Sequence, residues 1–197
     1  MKRMQDLERA RRGIEEFLRG LGFDTDAEPE LRRTAERVVR AFSDDLLSGD
    51  DMDDASVLLG GSRLAAPNEK GLVVLRNLSA VTVCPHHLLP AIGHATVVYV
   101  LGERVAGFGA VARLVDGHAR RLVLQEEIGN RVVQSMMQHL GARGALCRLS
   151  LLHSCFVARG ERWHDARVDT IAAVGSLSEA GPDRDLAMAE LRLGRGE

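Results

Sequence analysis

The chain has 197 residues, with 26 Lys and Arg against 28 Asp and Glu and a formal charge of −2. That length suits one sizeable core and is short for two full domains. The charge balance excludes a strongly basic nucleic-acid surface, and one Trp and one Tyr leave little aromatic area on which bases could stack. No apolar run approaches the ~20 residues of a membrane-spanning helix. The start, Met1-Lys2-Arg3-Met4-Gln5-Asp6, is too charged for the apolar segment of a secretion signal. The expectation is a cytoplasmic protein with neither a membrane nor a nucleic-acid partner.

In chain order, Leu7, Ile14, Phe17, Leu18 and Leu21 follow helical spacing and predict an amphipathic helix from Met4 to Leu21, with Gly20 and Gly22 able to end it. A second helix is expected from Pro29, a residue suited to a first helical turn, through Leu31, Ala35, Val38, Val39, Phe42 and Leu46 to just before Gly49. The acidic run 50–54 reads as a loop. Glu and Asp alternate with the arginines of both helices, which describes a solvated face rather than a basic arm. Beyond residue 60 the texture becomes β-rich: Gly71–Val83 and Ala91–Leu101 predict two strands. Helical patterns follow over Ala110–His118 and Arg120–Leu140. A third strand is expected from Ala145 to Cys155, a fourth from Arg167 to Val174, and a terminal helix from Asp183 to Leu193. This order defines an α+β architecture, a four-stranded antiparallel sheet with a helical pair on one face. The expected division is a helical extension over 1–60 and a catalytic unit over 61–197. The open edges of such a short sheet are commonly closed by other subunits, so a symmetric homo-oligomer is expected.

Two short runs hold most of the metal-binding chemistry. Cys84 and His87 stand three positions apart in Cys84-Pro85-His86-His87, a spacing that lets both enter one coordination sphere from a tight turn. Alone this is a weak motif. In the third strand the odd positions share a face, so His153 and Cys155 are expected to point the same way, and Cys155 supplies a third ligand. Cys147 has Ala145, Leu149 and Leu151 on the same face and is assigned to the core. Two thiolates and an imidazole suit zinc, and three protein ligands leave a position open, the arrangement of hydrolytic zinc. A Cys84–Cys155 disulfide is the competing reading, disfavoured where thiols stay reduced. His86 and His153 remain beside the metal without ligating it.

With these runs in place, the chain resembles the GTP cyclohydrolase I family along nearly its whole length. The pattern C-x-H-H-L-L-P is met by Cys84-Pro85-His86-His87-Leu88-Leu89-Pro90, and G-x-A-x-V-x-Y by Gly93-His94-Ala95-Thr96-Val97-Val98-Tyr99. A-R-R-x-x-x-Q-E is met by Ala119-Arg120-Arg121-Leu122-Val123-Leu124-Gln125-Glu126, and H-x-C-x-x-x-R-G by His153-Ser154-Cys155-Phe156-Val157-Ala158-Arg159-Gly160. The early T-P-x-R-V survives in part as Thr34-Ala35-Glu36-Arg37-Val38. The resemblance implies the tunnelling fold (T-fold), a homodecamer of two stacked pentamers, and active sites at subunit boundaries. It implies Zn2+ on Cys84, His87 and Cys155, proton transfer by His86 and His153, and the guanine edge held at Gln125 and Glu126. It also implies that Arg37, Arg113 and Arg159 contact the phosphates of GTP or a related guanine nucleotide.

Three positions depart from the family pattern. G-L-S-K reads here Gly107-Phe108-Gly109-Ala110, so a hydroxyl and an ammonium are gone, and Pro85 replaces a glutamate beside the metal turn. The threonine-rich strand near the end is replaced by Arg167-Val168-Asp169-Thr170-Ile171-Ala172-Ala173-Val174. The leading expectation is ring opening of GTP with formate release and closure to dihydroneopterin triphosphate. One alternative is a paralogue that stops after ring opening or takes another guanine nucleotide or related heterocycle; a second is a non-catalytic oligomer that binds zinc or nucleotide.

Overall fold

The computed structural model describes residues 5–159 and 165–193. Three helices come first: α1 (Leu7–Gly20), α2 (Thr34–Arg40) and α3 (Asp54–Gly60). Asp6 caps α1 by accepting from the Arg9 N–H at 2.8 Å, and Glu8, Arg11 and Glu15 line one side of it with ion pairs. The expected Met4 start lies outside the described residues.

The single helix expected from Pro29 to Gly49 is divided. A 3-10 turn over Pro29–Leu31 precedes α2, a wide π turn over Ala41–Leu46 follows it, and a 3-10 turn covers Ser48–Asp51. The bend sets Gly49 against the next part of the core. Its N–H donates to the Arg120 carbonyl at 3.0 Å, and a Cβ there would stand 2.0 Å from the Gly117 carbonyl oxygen. A straight helix would carry that glycine past its docking point. The acidic run is not a loop throughout either. Asp53 accepts from the Ala55 N–H at 3.2 Å and Asp54 opens α3, because carboxylates at a helix start satisfy its free N–H groups and favour its dipole.

Then come β1 (Ser62–Leu64), β2 (Leu72–Val83), β3 (Pro90–Val100), β4 (Arg104–Ala106), α4 (Phe108–Ala119), α5 (Gln125–Leu140), β5 (Gly144–His153), α6 (Ser154–Val157), β6 (Val168–Gly175) and α7 (Pro182–Leu193). The four long strands form the four-stranded antiparallel sheet that the sequence predicts, and their order across it is β2-β3-β5-β6. The short β1 and β4 pair separately. Helix α5 begins at Gln125 rather than at Arg120, because the chain runs extended after α4 and Leu122 bridges Val83 in parallel. Gly141, at φ +57, ends α5 in the left-handed conformation that glycine adopts without strain.

Strand alternation assigns the two faces of the sheet. Ala95, Val97, Tyr99, Cys147, Leu149 and Leu151 are buried with Val111, Leu114 and Val115 of α4 and Ile128, Val132 and Met136 of α5. Cys147 is therefore a core residue, as expected. On the opposite face Val98, Val100 and Leu146 pack with Leu177 and with Ala187 and Leu191 of α7. Each fully buried Leu, Ile, Val or Met contributes about 1.5–3 kcal/mol, so the sheet is held from both sides. No helix among the described residues is long and apolar enough to cross a membrane.

Candidate metal centre and active site

Residues 84–89 are the loop of the β2–β3 hairpin, between paired Val83 and Pro90. Two bonds close it: Cys84 N–H to the Leu89 carbonyl and Leu88 N–H to the Cys84 carbonyl, both 2.9 Å. Leu88 sits at φ +55, an uncommon conformation for a branched residue. Leu88 lines an open groove with Leu7 and Ile14 of α1, Val38 of α2, and Phe42 and Leu47 of the segment after α2. The loop presents Cys84, His86 and His87 on one side.

The third ligand arrives differently from the sequence-based expectation. Strand β5 ends at His153, whose partner is Ala91. The next residue on the partner strand is Pro90, which lacks an N–H and cannot extend the ladder. The chain therefore turns into α6, and Cys155 belongs to that helix rather than to a shared strand face with His153. The turn still delivers its sulfur. The ligand atoms of Cys84, His87 and Cys155 all lie within 4.8 Å of one another.

The donor geometry fits zinc. Bonds of ~2.3 Å to sulfur and ~2.1 Å to nitrogen at a tetrahedral angle place those two donors ~3.6 Å apart, and Cys84 Sγ stands 3.6 Å from His87 Nδ1. Burial, followed by the neighbouring Cys84 thiol, raises the Cys155 thiol above its ordinary value, while the charge of Arg159 opposes this. His86 is exposed, with Nδ1 4.0 Å from Cys84 Sγ.

His153 is half-buried and points to the start of α5. Its Nε2 lies 2.8 Å from Gln125 Oε1. Burial lowers its pKa below the usual histidine value, and the carboxylate of Glu126 works the other way. Glu126 is exposed one residue further along α5, whereas Gln125 is only 4% exposed.

Seven of the expected site residues thus gather around one end of the sheet: Cys84, His86, His87, Gln125, Glu126, His153 and Cys155. Arg159 follows α6 on the exposed side. Arg37 is exposed on α2 and Arg113 on α4, and no hydrogen bond joins either to the hairpin loop among the described residues. Gly160 of the expected H-x-C-x-x-x-R-G motif lies outside the described residues. Thr170, which anchors Gln125, gave no signal in the sequence because its contact depends on strand register.

A sheet of this order, backed by a helical pair and carrying a Cys–His–Cys cluster beside two further histidines, defines an α+β protein with an open, three-donor site. The GTP cyclohydrolase I family model matches residues 10–192. A GTP cyclohydrolase 1 of Leifsonia xyli subsp. xyli is 35% identical over 181 residues, covering 92% of this chain and 93% of the relative. That of Ralstonia nicotianae is 33% identical over 174 residues, covering 88% of this chain and 81% of the relative. The chain belongs to the GTP cyclohydrolase I family, and with it to the T-fold and to GTP cyclohydrolase I-like hydrolases. Among solved structures, the archaeosine synthase QueF-Like in the apo form is similar with a TM-score of 0.44 at 17% identity, covering 60% of this chain and all of that one.

Proposed function

We propose that this protein is a zinc-dependent hydrolase that opens the imidazole ring of the guanine in GTP, releases formate and closes the product to dihydroneopterin triphosphate. The observation that carries this reading is the three-donor cluster with two unliganded histidines beside it. A structural zinc site closes its coordination with a fourth protein ligand. Cys84, His87 and Cys155 are the residues that would hold the ion. Zinc there supplies Lewis acidity that brings the pKa of a water in its open position from ~15.7 toward ~7.

The remaining roles belong to side chains. His86, beside Cys84, and His153, two residues before Cys155, are the groups that give and take protons. Glu126, exposed at the mouth, accepts from the guanine ring N–H and the exocyclic amino group together, a pairing adenine cannot make. Arg37, Arg113 and Arg159 supply guanidinium forks for phosphate. In this reading the site is completed by neighbouring subunits in a pentamer-based homodecamer.

One observation bears on the phosphate end. Ala110 is 2% exposed, and a Cβ on Gly61 would fall 2.6 Å from its Cβ. Ala110 supplies no cation there, and Arg113, whose guanidinium lies beside Gly109 and Gly61, is the residue of α4 that would meet the phosphates.

The test is to incubate the zinc-loaded full chain with GTP, GMP and guanosine while following formate and pterin fluorescence. Formate with fluorescence from GTP is expected. Formate without fluorescence would support an enzyme that stops after ring opening, and no formate from GTP would overturn the reading.

A further inference from the structure

Gln125 is the most constrained polar side chain near the cluster. Its amide nitrogen faces three acceptors: the Leu149 carbonyl at 3.2 Å, the Val168 carbonyl at 2.8 Å and Thr170 Oγ1 at 3.1 Å. The register of β5 and β6, which pairs Leu149 with Thr170 and Leu151 with Val168, brings all three beneath the start of α5. Carbonyl oxygens only accept, so the side of the amide turned toward them must be the NH2. The orientation of the amide is therefore fixed by two strands rather than by the site it serves.

The consequence falls on His153. With the NH2 committed to the sheet, Oε1 is the atom that lies 2.8 Å from His153 Nε2. An amide oxygen carries no hydrogen, so Nε2 donates. A neutral imidazole has one N–H, which leaves Nδ1 with the lone pair. At 4% exposure Gln125 is almost wholly shielded from solvent.

We infer that Gln125 is a positioning residue: it orients the His153 ring and holds it as the Nε2–H tautomer, which leaves the lone pair on Nδ1. A burial this complete gives Gln125 a role through His153, and the guanine edge is left to Glu126. The inference rests on the reading of His153 as a proton-transfer group.

Solid-state 15N NMR of the zinc-loaded full chain, labelled at histidine and assigned by difference from His153→Asn, reads the tautomer directly. A protonated Nε2 and a bare Nδ1 are expected; a protonated Nδ1 with a bare Nε2 would overturn the inference. In parallel, Gln125→Leu should lower kcat by roughly 10²-fold, the lower end of what positioned proton transfer contributes, with KM for GTP unchanged. A raised KM with kcat intact in Gln125→Leu would make Gln125 a substrate contact and also overturn the inference. If Gln125→Leu fails to fold, the wild-type spectrum decides alone. A wild-type chain that releases no formate would remove the proposed reaction, while the tautomer would still be decided by the spectrum.

Discussion

His118 shows how a single buried side chain couples this fold to pH. Its Nε2 lies 2.9 Å from Asp54 Oδ2, Ser135 also donates to that oxygen, and Nδ1 is buried without a partner among the described residues. Burial pulls its pKa below the ordinary 6.5; Asp54 opposes the shift, whereas Arg121 and Arg131 add to it. The unfolded chain therefore binds a proton near pH 6.5 that the folded chain still refuses. Stability from this group is fully present above pH 6.5 and is lost as pH falls from there toward the lower folded value. Urea unfolding of the parent should show declining stability from about pH 7 downward, and His118→Gln should show a smaller decline. Equal declines in the two proteins would remove His118 as the cause. At the same scale, Cys84 and His87 are legible from residue type and spacing, whereas Cys155 joins them from α6 rather than from the strand face that spacing predicts. The bond from Gln125 to His153 is not legible, because it depends on which residues of β5 and β6 lie opposite each other.

Among the elements, α1 leaves the most unfinished surface. None of its residues is buried, and Phe17 on it and Leu21 just after it are 62% and 60% exposed, while the other side of the helix is covered with ion pairs. We expect this apolar side of the helix to meet another copy of the chain. Replacing both residues in Phe17→Lys/Leu21→Lys should yield a smaller species than the parent in sedimentation velocity, and an unchanged species would show that α1 takes no part in assembly. The presence of α1, α5 and the four sheet strands is legible from hydrophobic spacing, but the start of α5 and the end of β5 are not. The broken helix before Gly49 is not legible either, since its bends answer to the close approach of Gly49 to Gly117, a contact 68 positions away along the sequence. Strands β1 and β4, three residues each, are too short to carry a period.

For the molecule as a whole, the site is a product of sheet closure. The β2–β3 hairpin supplies Cys84, His86 and His87, the end of β5 supplies His153 and leads into Cys155, and the first turn of α5 supplies Gln125 and Glu126. Pairing Ala91 with His153 brings the first two groups together, and the core beneath α5 holds the third. Folding and metal affinity are accordingly linked, because no unfolded chain keeps these three donors within one coordination sphere. The most direct test is zinc content measured with formate release on the same samples. The account predicts a single zinc per chain, no formate from GTP after chelation, recovery on adding zinc, and loss of both metal and turnover in Cys155→Ala. Formate released by the metal-free protein, or full zinc retained by Cys155→Ala, would contradict it.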